Sequence, residues 1–215
     1  MGNPDEIEYV VLSMADIAEV EDLLALEFYP RENLSKGVHE DGNKSREGMH
    51  SKMVRLCLAS GLTVGARDKA TGSLVGVRTS YLTTRESERK SKEEKAKYSS
   101  EEERRMYVLL EKAKNSHDMF QDSKVKKVVD FDRLCVREDY CRRGIAKKMV
   151  EMSMALGVKK GCDLARVEVT SPYSERLFLG LGFEVKSSLD IKKETDLADA
   201  SLMSYKQLTI LTRYL

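Results

Sequence analysis

Hydrophobic and polar residues follow two different periods along the chain, which predicts a fold built from both strands and helices. Short or alternating apolar runs predict strands at residues 8–12, 62–67, 73–82, 128–136, 165–170, 183–185 and 207–215. Apolar positions three and four residues apart predict helices at residues 13–29, 45–60, 145–156 and 171–181. The predicted order is therefore β-α-α-β-β-β-α-β-α-β-β, with a long insert between the third and fourth strands.

The insert at residues 83–127 differs in composition from the rest of the chain. Its first half mixes both charge signs densely, which is typical of a solvated loop or an exposed helix. Its second half carries a helical apolar stripe of Met106, Leu109, Leu110 and Ala113. We expect this stripe to pack in the core, and the alternative is that it covers one end of a binding cleft. Because no linker or repeat divides the chain, residues 1–215 are predicted to form one domain.

The strand at residues 128–136 and the turn after it carry the main functional signal. Side chains alternate between the two faces of a strand, so this strand should have one apolar set on each face. One set is Val128, Leu134 and Val136, and the other is Val129, Phe131 and Cys135. A glycine and a small residue, Gly144 and Ala146, then stand where the next helix begins. The free N–H groups of its first turn, the helix dipole and the side chains of Arg142 and Arg143 together predict a pyrophosphate-binding site.

Composition and charge exclude several classes of protein. The 215-residue chain has a formal net charge of +1, so no basic excess indicates nucleic acid or an anionic membrane as a partner. No apolar run approaches the roughly 18 residues that span a bilayer, and the acidic start lacks a signal-peptide core. The cysteines, Cys57, Cys135, Cys141 and Cys162, form no CxxC pair, so neither zinc nor disulfides are predicted. The default expectation is a cytoplasmic monomer without a metal ion.

Two motifs within this element order resemble those of the Gcn5-related N-acetyltransferase superfamily. The superfamily signature Arg/Gln-x-x-Gly-x-Gly/Ala reads here Cys141-Arg142-Arg143-Gly144-Ile145-Ala146, with cysteine at the first position. The later box LYxKLGF appears as Leu177-Phe178-Leu179-Gly180-Leu181-Gly182-Phe183. The resemblance implies an α/β class with a mixed, mostly antiparallel central sheet that is splayed at the coenzyme A site and flanked by helices. It also implies acetyl-CoA as the acetyl donor.

A closer resemblance is to the arylalkylamine N-acetyltransferase-like branch known from invertebrates. Its motif F-x-x-Asp-Glu-Pro-Leu appears as residues 28–34, so Glu32 falls on the catalytic glutamate of that branch and Asn33 replaces the proline. Its hydroxyl pair falls on Thr170 and Ser174. The resemblance implies direct transfer of acetyl to a small arylalkylamine of the dopamine, tyramine, serotonin or tryptamine type.

The donor site that this resemblance implies is made of two segments. Pyrophosphate would be held by the turn of Arg142, Arg143, Gly144, Ile145, Ala146 and Lys147. The pantetheine arm would pair like an added strand with the backbone of Leu134, Cys135 and Val136.

The proton transfers need a base and a partner for the departing thiolate. Glu32 is the expected base, and Asp130 and Asp132 beside the proposed thioester are the alternatives. Phe178 stands where relatives carry a proton-donating tyrosine, so Ser174 is the expected donor, assisted by Thr170.

Two other functions stay open from the sequence alone. The acceptor could be a polyamine, an amino acid or a protein amino group instead of an arylalkylamine. Alternatively, the chain could be a CoA-binding module with little catalysis, because Asn33, Cys141 and Phe178 all depart from the patterns of the superfamily.

Overall fold

The computed structural model describes residues 6–38, 48–94 and 100–215, and these contain seven strands. The strands are β1 (Ile7–Val11), β2 (Val64–Asp68), β3 (Leu74–Thr84), β4 (Lys127–Val136), β5 (Leu164–Val169), β6 (Glu184–Asp190) and β7 (Gln207–Tyr214). The α-helices are α1 (Ile17–Leu23), α2 (Asn33–Gly37), α3 (Gly48–Ala59), α4 (Arg85–Glu94), α5 (Glu101–Asn115), α6 (Ile145–Lys159) and α7 (Pro172–Gly180). Helix α1 is prolonged by a π-helical turn, Leu24–Phe28, that stops just before Pro30, as the proline predicts.

All seven strands belong to one sheet, in the order β1-β2-β3-β4-β5-β7-β6. Neighbouring strands are antiparallel except β4 and β5, which are parallel and are joined through helix α6. Such a crossover is what a parallel pair requires, since a tight hairpin can only join antiparallel strands. The sheet confirms the predicted mixed, mostly antiparallel architecture.

Strand β4 contains a β-bulge near its middle. Its pairing register with β3 shifts between Arg78 and Ser80, so that Asp132 and Arg133 lie together opposite Thr79. The Thr79 hydroxyl accepts the backbone N–H of Arg133 at 2.9 Å and donates to the Asp132 carboxylate at 3.1 Å. A bulge adds one residue to one strand and so shifts the alternation of the side chains that follow.

The bulge decides which β4 side chains share a face. Beyond it, Leu134 and Val136 pack towards helix α6, on the same side of the sheet as Phe131, whereas Cys135 packs towards helix α1. The predicted grouping of Leu134 and Val136 with Val128, opposite Phe131, is therefore wrong. Apolar residues occupy both faces of β4, so the hydrophobic pattern contains no sign of the bulge.

Strands β4 and β5 pair over their first halves only. Their register runs from Val128 opposite Leu164 to Phe131 opposite Val167, and beyond that point β5 pairs with β7 alone. The two parallel strands thus separate into a V-shaped opening that begins at Phe131 and Val167. This opening corresponds to the splay that the superfamily resemblance implies.

The insert is more ordered than a solvated loop. Strand β3 runs on to Thr84, and helices α4 and α5 follow it, the second capped by the Ser100 hydroxyl. The predicted apolar stripe of α5 is buried, and its Met106 and Leu109 pack with Leu208 and Ile210 of β7. This packing confirms the interpretation of the stripe as core.

The segment after Pro30, whose polar composition predicts a loop up to residue 45, contains the short helix α2. The Glu32 side chain caps this helix by accepting the backbone N–H of Ser35 at 2.5 Å. Residues 39–47, which hold the end of that predicted loop and the start of the helix predicted at residues 45–60, lie outside the described part of the chain. A membrane-spanning helix, which would need a long apolar run, is not found in the parts of the chain described above.

Candidate active site

The loop between β4 and α6 has the backbone geometry of an anion-binding turn. Gly144, the N-cap of α6, has a φ of 80°, and Arg142 has a φ of 62°, the only non-glycine residue among those described with positive φ. L-residues adopt this region rarely, and such strain concentrates at functional sites. No side chain caps α6, so the N–H groups of its first turn point out of the helix end without a side-chain acceptor.

The predicted donor residues of this turn contribute in different ways. The side chain of Ile145 is buried in the core, so only its backbone N–H can face a ligand, while Arg142 and Lys147 are exposed. Arg143 lies over the Tyr140 ring and donates to the Asp139 carbonyl at 2.9 Å. The exposed cations and the backbone donors therefore lie on one short segment, which is the charge arrangement that a pyrophosphate group requires.

The backbone of β4 presents polar groups to the V-shaped opening at alternate residues. The N–H of Arg137 bonds to the Val75 carbonyl of β3 at 2.9 Å, so the polar groups of Val136 and Leu134 point away from β3. In agreement, the Val136 carbonyl accepts a hydrogen bond from Arg31 Nη2 at 3.1 Å. The polar groups of Cys135 point towards Val77 of β3, so this one of the three predicted pantetheine partners does not offer its backbone to the opening.

Glu32 and Thr170 meet at the edge of the opening although 138 residues separate them. Thr170 directly follows β5, and its hydroxyl donates to Glu32 Oε1 at 2.6 Å. The other carboxylate oxygen, Oε2, accepts the Ser35 N–H. Both side chains are half-buried. The structure therefore brings together two of the three predicted catalytic residues and fixes the orientation of the carboxylate.

Ser174, the third predicted catalytic residue, lies in the first turn of helix α7 and is half-buried. Phe178 follows it by four residues and therefore lies on the same face of the helix. The Phe178 ring is buried against Phe131 and Phe183, with ring centroids 6.0 and 5.0 Å away. Ser174 thus lies near the wall of the opening that Phe131 begins.

The two alternative bases are both engaged by cations. The carboxylate of Asp130 is buried, is held by Arg166 at 2.5 and 2.9 Å and accepts the Thr83 hydroxyl. Asp132 pairs with Arg133 and accepts the Thr79 hydroxyl. Both carboxylates therefore already have a cationic partner and a hydroxyl partner within the protein. The ion pair of Asp132 with Arg133 agrees with the expectation that one of these two aspartates pairs with Arg133 or Lys127, whereas Asp130 is paired with Arg166 of the neighbouring strand.

Asn33 has a structural role that the sequence does not reveal. Its side chain is buried, accepts the N–H groups of Ser204 and Tyr205 at 2.9 and 3.3 Å and donates to the Tyr205 carbonyl. Tyr205 in turn donates its hydroxyl to Glu175 at 2.7 Å, and burial together with this carboxylate raises the pKa of Tyr205 to about 12. The residue beside Glu32 thereby fixes the segment before β7 against α2 and α7. No signal in the sequence links positions so far apart.

We expect Asn33→Ala to lower the free energy of unfolding by about 1–2 kcal/mol, because it removes the hydrogen bonds between a buried amide and the backbone groups of residues 204–205. Denaturant unfolding at neutral pH measures this change. Ser204→Ala, which removes only a 3.2 Å hydroxyl contact to the same amide, is the control, and its effect should stay within about 0.5 kcal/mol. Equal losses in the two variants would contradict the role assigned to Asn33.

Groups of side chains that could hold a metal ion are not present among the described residues, where no three His, Cys, Asp or Glu side chains cluster suitably.

Cys141 is exposed, and its Sγ lies 3.7 Å from the Val136 carbonyl and 3.6 Å from the Arg137 carbonyl. His50 is buried and contacts Arg133 at 2.9 Å, so it lies in the packing of α3 against β4.

Comparison with known proteins supports the fold through structure alone. No protein-family profile matches the sequence, and no curated protein matches it significantly. A mutant of agmatine N-acetyltransferase in its apo form is similar over 98% of this chain and 100% of its own, with 20% identity and a TM-score of 0.85.

Two further solved structures show the same likeness. The Drosophila melanogaster polyamine N-acetyltransferase, which catalyses the formation of N-acetylagmatine, is similar over 97% of this chain and 100% of its own, with 20% identity and a TM-score of 0.84. Arylalkylamine N-acetyltransferase 2 from Aedes aegypti is similar over 97% of this chain and 98% of its own, with 21% identity and a TM-score of 0.82. These values show that the chain has the same fold as these amine N-acetyltransferases, which is the fold that the resemblance predicts.

Proposed function

We propose that this protein is an acetyl-CoA-dependent N-acetyltransferase that transfers the acetyl group directly to a primary amine. The observation that supports this most is the hydrogen bond between Thr170 and Glu32 at the edge of the V-shaped opening. It provides an oriented carboxylate where the parallel strands β4 and β5 separate. A carboxylate there can accept the proton that an amine must lose, directly or through one water molecule.

The donor residues fit acetyl-CoA on two grounds. The positive φ values at Arg142 and Gly144 create a turn whose uncapped N–H groups can bind pyrophosphate, and the exposed Arg142 and Lys147 add charge. The backbone groups of Leu134 and Val136 that face the opening can hydrogen-bond the amides of the pantetheine arm. Acetyl-CoA, when bound, supplies an activated acetyl group as a thioester.

The acceptor side needs a group that makes the amine nucleophilic. An alkylammonium group has a pKa near 10, so at neutral pH almost all of the amine is protonated. Glu32 can remove that proton, and the Thr170 hydroxyl keeps its Oε1 in place. Because Thr170 directs its proton to Glu32, Ser174 is the hydroxyl left to donate to the departing sulfur.

We propose a small arylalkylamine as the acceptor. Two aromatic residues, Phe28 and Tyr29, precede Glu32 and pack edge to face with centroids 5.4 Å apart, and Phe28 is half-buried. An aromatic amine can stack on such side chains. Agmatine or a polyamine is the second candidate, because the similar solved structures include enzymes named for those amines.

A panel of amines tests this function. Protein, acetyl-CoA and a thiol-reactive dye are mixed with tryptamine, dopamine, agmatine, spermidine, an amino acid or a peptide, and the release of CoA is followed. Faster release with tryptamine and dopamine than with the others supports the arylalkylamine. Faster release with agmatine or spermidine moves the acceptor to the second candidate. Binding of acetyl-CoA without turnover on any amine would refute the enzyme and leave a CoA-binding module.

A further inference from the structure

Arg78 of β3 is a buried cation without a close anionic partner. Its side chain is 1% exposed, and its Nε and Nη2 have no hydrogen-bond acceptor within residues 6–38, 48–94 and 100–215. Burial lowers the pKa of this guanidinium to about 9. Buried charges are normally paired, because removing them from water is costly. A buried guanidinium with two nitrogens that lack an acceptor among the described residues is therefore a candidate binding group for an anionic ligand.

The guanidinium lies at the inner end of the V-shaped opening. Its Cζ is 4.3 Å from the ring centroid of Phe131, the last β4 residue that pairs with β5, and 5.5 Å from that of Phe178. The backbone of Leu134 and Val136 lines the same opening, so a pantetheine arm paired with it can bring its sulfur end towards Phe131. Glu32 and Thr170 flank the opening from the end of β5.

The charged and titratable groups facing Arg78 are already occupied or neutral. Asp132 on β4 raises the pKa of Arg78 but is paired with Arg133. Glu168 on β5 also raises the pKa of Arg78 but is paired with Lys114 at 2.9 Å. Cys57 on α3 is buried, and burial raises the pKa of its thiol well above the usual value, so it is uncharged at neutral pH. None of the three neutralises the guanidinium by direct contact.

We propose that Arg78 binds the sulfur of CoA and stabilises the thiolate that leaves during acetyl transfer. This inference rests on the proposed function and adds a catalytic residue to it. The amine nitrogen forms a bond to the thioester carbonyl carbon, the C–S bond breaks, and its electron pair stays on the sulfur. The amine proton goes to Glu32, while Arg78 keeps its own proton and donates an N–H to the thiolate. The thiolate thereby supplies the hydrogen-bonded anion that Arg78 lacks among the residues that the structure describes.

This role accounts for the absence of a proton donor at Phe178. A hydrogen bond between a cation and an anion is roughly twice as strong as one between neutral groups. A fixed guanidinium in a buried site can therefore stabilise the leaving group without delivering a proton to it. The Ser174 hydroxyl can add a neutral hydrogen bond to the same sulfur, and the thiolate takes its proton from water after CoA leaves the protein.

Binding of CoA and of desulfo-CoA, which lacks the sulfur atom, tests the proposal without any turnover. Calorimetric titrations of the full chain are made from neutral pH to about 8.5, where the thiol is half ionised while Arg78, with a pKa of about 9, still carries most of its charge. We expect the wild type to prefer CoA over desulfo-CoA by roughly tenfold at the alkaline end, since one charge-assisted bond is worth at least that factor. In Arg78→Met the preference should disappear, and in Arg78→Lys part of it should return.

The possible outcomes separate this inference from the function on which it rests. If the wild type binds neither compound, the proposed function fails. If it binds both equally at every pH, or if Arg78→Met weakens both to the same extent, Arg78 does not contact the sulfur and the inference is wrong. The melting temperature of Arg78→Met should be equal to or above that of the wild type, because the change removes an unpaired buried charge. A large drop with an intact CoA preference would make Arg78 a structural residue and would also overturn the inference.

Discussion

Replacing Glu32 with alanine is expected to lower kcat/KM for the amine by about 100- to 1,000-fold at neutral pH, within the range that positioned acids and bases contribute. The loss should shrink as the pH rises towards 10, because the free amine then forms in solution and needs no base. Initial rates of CoA release across this pH range measure the effect. A pH profile that is merely scaled down, with no change in shape, would remove Glu32 from the role of base.

Glu32 also caps helix α2, so the loss of the cap has to be separated from the loss of the base. Glu32→Gln keeps one oxygen that can accept the Ser35 N–H, and its NH2 group can donate to the Thr170 hydroxyl oxygen, but it cannot take a proton at neutral pH. It should lose activity almost as fully as Glu32→Ala while melting closer to the wild type. Thr170→Val removes only the orienting hydroxyl and should cost less than either change. Activity of Glu32→Gln near the wild-type level would contradict catalysis by this carboxylate.

The elements of the fold follow from the sequence where local pattern decides them. Strand β4, the glycine turn and helix α6 lie near their predicted positions, because a change of hydrophobic period and a glycine mark each boundary. The bulge in β4 was beyond prediction. It depends on Thr79 of the neighbouring strand, and a strand with two buried faces shows the same apolar pattern with or without an extra residue.

The residues of the candidate site likewise differ in whether a local pattern in the sequence predicts them. The predicted pyrophosphate-binding turn lies within one short segment, so its residues can be proposed from their order alone. Glu32 and Thr170 are 138 residues apart, and only a resemblance to known acetyltransferases placed them in one site. The partners of Asn33 and the surroundings of Arg78 depend on how distant elements pack, and no local pattern records this. Polar residues that act through distant partners are therefore what a single sequence conceals.

Gly144→Ala is expected to weaken acetyl-CoA binding by about 100-fold, which corresponds to the loss of roughly two charge-assisted hydrogen bonds. A Cβ at this position would meet no protein atom within 4 Å, so the cause is not a clash inside the protein. An alanine disfavours the φ of 80° and turns the first N–H groups of α6 away from the pyrophosphate. Titration calorimetry with acetyl-CoA measures the change.

Gly161, just beyond the other end of α6, is a matched control for this prediction. Its φ is 71°, and a Cβ there would also meet no atom within 4 Å, so Gly161→Ala carries the same backbone strain of about 1–2 kcal/mol. The two glycines are separated by a 15-residue helix, which is about 22 Å long. Both variants should therefore lose similar stability, but only Gly144→Ala should lose affinity for acetyl-CoA. If both variants bind acetyl-CoA like the wild type, the turn at Gly144 does not hold the pyrophosphate. If both lose affinity equally, general destabilisation explains the effect and the turn has no special role.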